Sequence, residues 1–193
     1  KEDSDIFNRM QLAGYKLIQT WNGFVYHMTC RGSRFKDGAK RNPDGQVFMK
    51  NRETDEWLQQ NHISTRNFIR KWGHFVKHDE CLKPIVPPKY NIGFVVKNCS
   101  YDLLYELEPW CSTIYIGHHF DAKDYISVEQ SNTLFDLGKR IQSIHAEKNN
   151  DILVEFDAKD FLIKHMNIIS QLSEIFANDE ELEPGEFELD IFK

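Results

Sequence analysis

The sequence predicts an α/β protein, and three observations lead to that class. Short apolar runs rich in β-branched residues occur at 92–99, 113–116 and 152–156. Segments with apolar residues at intervals of three and four lie between and after these runs, as in amphipathic helices. Of the 193 residues, 40% are hydrophobic and 13% aromatic, which supplies a packed core and excludes a wholly disordered chain. Strands that alternate with helices favour a largely parallel sheet.

The second half of the chain carries most of the predicted regular structure. Besides the three strands, apolar spacing predicts helices at 101–110, 129–144 and 161–176. Residues 187–191 alternate apolar and polar side chains, which predicts an edge strand.

The first half is less regular. Residues 4–13 form a predicted helix, with Asp3 or Ser4 as its N-cap and Gly14 just after its end. Two predicted strands, 17–21 and 24–28, flank an Asn22-Gly23 dipeptide that is typical of a hairpin turn. Two helical segments follow at 53–61 and 64–72, before Gly73.

Charge and proline content divide the chain into two predicted domains. Three of the six prolines lie between residues 84 and 88, and such a stretch cannot continue a helix. We therefore expect a first segment at 1–82, a proline-rich connector at 83–90 and an acidic α/β domain at 91–193. Residues 1–90 carry a net charge of +6 and residues 91–193 a net charge of −12, which together give the −6 of the whole chain.

The composition also limits compartment and metal content. No apolar run approaches the roughly 20 residues that span a bilayer, so a membrane-spanning protein is excluded. The four cysteines lie far apart without a Cys-x-x-Cys pair, which favours reduced thiols over a structural zinc site. We expect a soluble, cytoplasmic protein.

The opening residues carry the most specific motif. Three carboxylates, Glu2, Asp3 and Asp5, stand at the start of the first predicted helix. Acidic residues are stabilised there by the free backbone N–H groups, so simple capping accounts for them. The alternative is that one carboxylate takes a proton from a hydroxyl nucleophile.

The pattern Glu-Asp-x-Asp-x-x-x-Arg-x-x-x-x-Gly-Tyr-Lys at 2–16, followed by His27, resembles the second-half motif of GT-A fold, family-2-like glycosyltransferases. Further stretches, Gly-Ser-Arg-Phe and Arg-Asn-Phe-Ile-Arg-Lys-Trp-Gly, are similar to those of glycosyltransferases from tailed phages and marine metagenomes. The resemblance implies that Asp3 is the general base and that Glu2 orients the acceptor. It also implies that Asp5 and Arg9 brace the helix by capping and ion pairing.

The same resemblance suggests donor-side roles for residues further along. His27 would reach the diphosphate or a bound divalent metal, Mn²⁺ or Mg²⁺, although a structural histidine is the plainer interpretation. Residues 31–52 form a basic loop in which Arg31 and Arg34 are the candidates for holding the diphosphate. A solvated loop is the alternative. Trp21 neighbours the predicted strand of His27 and is the candidate for an acceptor contact.

The family's nucleotide-binding first half and its Asp-x-Asp metal motif do not precede Glu2. We therefore expect a fragment of a transferase that moves a sugar from a nucleotide-sugar donor to a glycan or other hydroxyl acceptor and that is inactive alone. Strands without their sheet neighbours seek partners, which predicts a homo-oligomer.

Two other functions stay open from the sequence. One is a non-enzymatic interaction module, a phage or bacterial accessory protein that docks an anionic partner through the basic first half. The other is nucleic-acid binding by the basic loop, which the net charge of −12 in the second half disfavours.

Overall fold

A computed structural model describes residues 1–18, 20–23, 55–117 and 119–178. Four strands form one sheet in this part of the chain: β1 (Ile92–Lys97), β2 (Thr113–Ile116), β3 (Ile141–Ser143) and β4 (Ile152–Asp157). They lie in the order β3-β2-β1-β4, and all three neighbouring pairs are parallel. The predicted α/β class with a parallel sheet is confirmed.

Seven α-helices lie within the described ranges. They are α1 (Glu2–Leu12), α2 (Asp55–Trp72), α3 (Tyr101–Leu107), α4 (His119–Glu129), α5 (Leu137–Arg140), α6 (Met166–Ile169) and α7 (Leu172–Asn178). Short 3-10 turns cover Trp21–Gly23, Glu108–Trp110, Gln130–Asn132 and Ile163–His165. None of the helices in these ranges is long and apolar enough to cross a membrane.

The helices pack on one face of the sheet. Because side chains alternate along a strand, Phe94 and Val96 of β1 share a face with their β2 partners Ile114 and Ile116. All four are at most 2% exposed. They belong to one apolar cluster with residues from five helices, namely Ile69, Leu104, Leu107, Tyr125, Ile169, Leu172 and Phe176.

The opposite face is crossed by the connection between β3 and β4. This chain segment must return past β2 and β1, and the right-handed crossover rule places it on the face away from the helices. Tyr115 of β2 donates its hydroxyl hydrogen to Asn150 Oδ1 in this connection at 2.8 Å. A Cβ atom at Gly93 of β1 would lie 2.5 Å from the same oxygen, so any larger residue there would require Asn150 to move.

Several predicted elements are confirmed and others are wrong. The strands at 113–116 and 152–156 and the first helix are found with small shifts at their ends. The described residues of the predicted segments 53–61 and 64–72 belong to the single helix α2, which ends just before Gly73, a residue with a φ of 78°. The helix at 129–144 is wrong, because this region holds a 3-10 turn, α5 and β3.

The helix at 161–176 is likewise broken into a 3-10 turn, α6 and α7. The strand at 17–21 is wrong at its described residues, which have no strand pairing and end in the turn at Trp21. The strands at 24–28 and 187–191 lie outside the described residues.

Candidate functional site

Two of the predicted site residues open α1. Glu2 and Asp3 lie in its first turn, and both side chains are exposed. Trp21 begins the 3-10 turn Trp21–Gly23. The predicted donor-side residues His27, Arg31 and Arg34 lie outside the described residues.

The third carboxylate of the motif, Asp5, fastens α1 to the end of α2. Its Oδ1 accepts a hydrogen bond from Trp72 Nε1 at 2.9 Å and lies 2.5 Å from Lys71 Nζ. Its Oδ2 pairs with Arg9 Nε at 3.2 Å, one turn along α1. Partial burial works to raise the pKa of Asp5, but the donors Lys71 and Trp72 outweigh it, and the net pKa is lowered. The expected ion pair between Asp5 and Arg9 is therefore present, whereas the expected capping is not, because the N-cap of α1 is Lys1 and it has no side-chain cap bond.

A groove runs between α1, α2 and the turn that follows α4. Its cavity volume is about 520 Å³. The α2 side consists of residues three, four or seven positions apart, which lie on one helix face. The main lining residues are Glu2, Asp5, Gln60, Ser64, Asn67, Lys71, Leu134 and Phe135.

The far side of this groove is held in place by side-chain amides. Asn67 Nδ2 donates to the carbonyl oxygen of Asn132 at 2.8 Å and ties the turn to α2. Gln130 Nε2 donates to the carbonyls of Thr133 and Phe135, and its Oε1 accepts from the backbone N–H of Leu137. These bonds hold Leu134 in a wholly exposed position at the rim of the groove.

Glu2 brings a carboxylate to the end of the groove. The backbone nitrogen of Lys1 lies 2.9 Å from Glu2 Oε2 and 2.8 Å from Ser64 Oγ. A hydrogen bond from the backbone N–H of Glu2 lowers the pKa of the Glu2 carboxyl. Glu2 is thus ionised at neutral pH and can accept hydrogen bonds from hydroxyl groups.

On its other side, α2 is attached to the sheet domain by a buried cluster of charges. Arg66 Nε donates to Glu129 Oε1 at 2.9 Å, and Arg70 Nη2 donates to the same oxygen at 2.6 Å. Arg70 Nη2 also donates to Glu108 Oε2 at 2.7 Å, and Arg140 Nε donates to Glu108 Oε1 at 2.6 Å. Both glutamates and the two arginines of α2 are at most 8% exposed at the side chain.

The cluster keeps its charges. Burial works to raise the pKa of Glu108, but Arg70 and Arg140 outweigh it and hold the pKa below its usual range. Burial works to lower the pKa of Arg70, and Glu108 reverses this so that the net pKa is raised. Burial, followed by the charge of Glu108, raises the pKa of the Tyr125 hydroxyl. None of these groups exchanges a proton near neutral pH, so the cluster joins elements rather than performing acid–base chemistry.

The sequence reasoning missed the groove walls and this cluster. The polar residues of α2 that line the groove have the same spacing as an ordinary solvated helix face. Local sequence does not predict that Arg66 and Arg70 are buried, because arginine and glutamate are rarely buried unless they are paired. The one usable signal was their i, i+4 spacing, which places both guanidinium groups on one side of a helix.

Within the described ranges, no group of three or more His, Cys, Asp or Glu residues is arranged to hold a metal ion. These residues therefore do not themselves provide the predicted Mn²⁺ or Mg²⁺ site, which stays a prediction. No family model, no curated protein and no solved structure matches the chain.

Proposed function

We propose that this chain is the acceptor-side part of a glycosyltransferase that uses a nucleotide-sugar donor. The hydroxyl acceptor occupies the groove beside α1, Asp3 is the general base, and Glu2 orients the acceptor. The observation that carries the proposal is that the three carboxylates in the first turn of α1 differ in their contacts. Asp5 is engaged by Trp72, Lys71 and Arg9, whereas Glu2 is exposed and lines the end of the groove, and Asp3, the next residue of the same turn, is exposed.

The lining of the groove suits a polyhydroxylated ligand. Gln60, Ser64 and Asn67 offer amide and hydroxyl groups, which both donate and accept hydrogen bonds. Leu134 and Phe135 offer apolar surface for the C–H faces of a sugar ring. Binding sites commonly combine apolar walls with a few polar groups that fix orientation.

The proposed reaction is a displacement at the sugar's anomeric carbon. The acceptor oxygen forms a bond to that carbon, the bond to the nucleoside diphosphate breaks, and the hydroxyl proton passes to Asp3. A divalent metal, when bound, neutralises charge on the leaving diphosphate. Arg31 and Arg34 are the proposed diphosphate ligands, His27 the proposed metal contact and Trp21 the proposed acceptor contact.

The coding sequence upstream of Lys1 tests the proposal directly. A nucleotide-binding strand-turn-helix and an Asp-x-Asp motif in that stretch would support it. A stop codon or an unrelated domain would overturn it and leave the interaction module as the better explanation.

The activity of the longer polypeptide supplies the second test. We expect nucleoside diphosphate release from a UDP-sugar or GDP-mannose, and a loss of kcat of about 10²–10⁴-fold in the Asp3→Asn variant. Glu2→Gln should raise the acceptor KM more than it lowers kcat. Glu147→Gln, an exposed glutamate outside the groove, is the matched control. Full kcat in Asp3→Asn would remove Asp3 as the base.

A further inference from the structure

A second pocket lies where the order of the strands reverses. In sequence order the sheet grows from β1 to β2 and β3 on one side, and β4 is then added on the other side of β1. Open parallel sheets bind ligands outside the carboxyl ends of the strands at such a point. A cavity of about 470 Å³ lies there, bounded by residues that follow β1 and by residues that follow β4.

The two walls of this pocket differ in chemistry. On the α3 side, Asp102 and Glu106 stand four residues apart, so both carboxylates lie on one helix face. On the β4 side, Phe161, Ile163 and Met166 present apolar surface, and the side chain of Ile163 is 88% exposed. An exposed isoleucine beside an aromatic ring is an available contact surface for an apolar ligand.

The floor between the walls is fixed by a link between the ends of β1 and β4. Asn98 Nδ2 donates to Asp157 Oδ1 at 3.0 Å and to Oδ2 at 2.8 Å. Asp157 Oδ1 also accepts from the backbone N–H of Lys159 at 3.0 Å. Asn98 has a φ of 54°, in the left-handed region that asparagine tolerates better than most residues. The loop geometry is therefore set before any ligand arrives.

The charge of the lining selects against anions. Phosphate sites at this position of a parallel sheet use a glycine-rich loop, whereas the β1–α3 loop is Asn98-Cys99-Ser100. The Ser100 hydroxyl is used as the cap of α3, where it accepts from the Leu103 N–H at 3.3 Å. Asp102 and Glu106 outnumber Lys159, which leaves the lining with a net negative charge.

We propose that this pocket binds an organic cation with an apolar body. Its ammonium group pairs with Asp102 and Glu106, and its body lies against Phe161, Ile163 and Met166. Among the described residues, neither the Asp102 nor the Glu106 side chain has an ion-pair or hydrogen-bond partner. Both carboxylates are therefore available to such a ligand. This site is separate from the groove at α1 and does not depend on the proposed transferase activity.

The test is an NMR titration of the 193-residue chain with three probes that share one body: phenethylammonium, 2-phenylethanol and phenylacetate. We expect phenethylammonium alone to give saturable shifts of the amides at 98–106 and 158–166. Its affinity should fall as salt is added, because the contact is an ion pair near the surface. The proposal is overturned if the alcohol or the acid binds as tightly as the ammonium, or if none of the three shifts these amides.

Paired variants separate the site from general charge. Asp102→Asn with Glu106→Gln should weaken phenethylammonium binding at least about tenfold. Both residues are exposed, so the fold should be kept. Asp124→Asn with Glu147→Gln removes the same charge from exposed positions outside the pocket and should leave the affinity unchanged. If both double substitutions weaken phenethylammonium binding equally, the ligand is attracted by the overall charge of the protein, and the proposed site is overturned.

Discussion

His74 is a fully buried histidine with one engaged and one unengaged ring nitrogen. Nδ1 lies 2.5 Å from the carbonyl oxygen of Phe75, an acceptor, so this nitrogen carries the proton. Nε2 is buried without a hydrogen-bond partner in the described structure. Burial, together with the nearby charge of Lys77, lowers the pKa of His74. The imidazole is therefore held neutral in the folded protein.

This lowered pKa predicts an acid-sensitive stability. Below about pH 6.5 the unfolded histidine takes up a proton that the folded one resists, so the free energy of unfolding falls as pH falls from that value toward the folded pKa. In the His74→Phe variant this loss should be absent, which urea unfolding at about pH 7 and pH 5.5 would measure. The exposed His62 offers the control His62→Gln, which should keep the wild-type pH dependence. An unchanged pH dependence in His74→Phe would contradict the assignment.

Glu108 is a central member of the buried charge cluster. It accepts hydrogen bonds from Arg70, Arg140 and Tyr125 and has no solvent exposure. In Glu108→Gln, the partly buried Arg140 loses its carboxylate partner and the buried Arg70 keeps only Glu129, and we expect the free energy of unfolding to fall by about 3–5 kcal/mol. The exposed neighbour Glu106→Gln should change it by less than about 0.5 kcal/mol. Similar urea midpoints for the two variants would show that the cluster adds little to stability.

At the scale of elements, Asp5 is a main side-chain link between α1 and α2 within the described residues. Ile6, Phe7 and Leu12 are between 46% and 65% exposed, so apolar burial contributes little to holding this helix in place. Asp5 instead joins it to Trp72 and Lys71 at the end of α2.

Removing that link should release α1 without unfolding the sheet. In Asp5→Ala we expect faster hydrogen exchange of the α1 amides and unchanged exchange in β1 and β2. Asp3→Ala removes a carboxylate that has no such partner, and it should cost only the helix-end interaction of about 0.3–1 kcal/mol. Equal exchange rates in the two variants would mean that other contacts hold α1.

The strands and helices also show which parts of the fold can be predicted from local sequence patterns. β1 and β2 were predictable because each is an apolar run bounded by turn residues, as buried parallel strands are. β4 was predictable because its residues alternate between buried and more exposed positions, as in a strand with one covered face. The segment 129–144 misled because Leu134, Leu137 and Ile141 are spaced as in a helix. Leu134 is in fact wholly exposed, and Ile141 opens a three-residue strand paired with β2. The strand at Ile141 is determined by its pairing with β2. The spacing of apolar residues along the chain does not reveal that pairing.

The candidate site was predictable in part for a similar reason. Glu2 and the bracing role of Asp5 followed from a local motif at a helix start. The groove wall and the cluster around Glu108 depend on contacts between α2 and residues about 40 to 60 positions further along the chain. No periodicity within α2 could identify those partners.

For the whole molecule, α2 and the sheet are joined at several places. Besides the charge cluster, Lys89 Nζ donates to the carbonyl of Arg70 at 2.6 Å, and Ser173 Oγ donates to the carbonyl of Gly73 at 3.3 Å. Lys77 pairs with Glu174 of α7. These contacts span the proline-rich connector that the sequence predicts to separate two domains.

We therefore expect α2 to unfold together with the sheet. Native-state hydrogen exchange should give the slowest amides of α2 the same opening free energy as those of β1. The α1 amides are the internal comparison and should open at lower free energy. A lower opening free energy for α2 than for β1 would favour two domains that unfold separately, divided at residues 83–90.

The late position of β4 in the chain has a consequence for the order of events during synthesis. Gly93 pairs with Thr113 of β2 nearby, whereas Ile92 pairs with Ile152 of β4 only after a much longer loop has closed. Because chains emerge from their N-terminal end, the β1–β2 pair can assemble while β4 is still being made. The wall of Phe161, Ile163 and Met166 is made only after all four strands. A ligand in the pocket at the strand reversal would therefore bind only chains that have been synthesised beyond Met166, and it would distinguish them from shorter nascent chains.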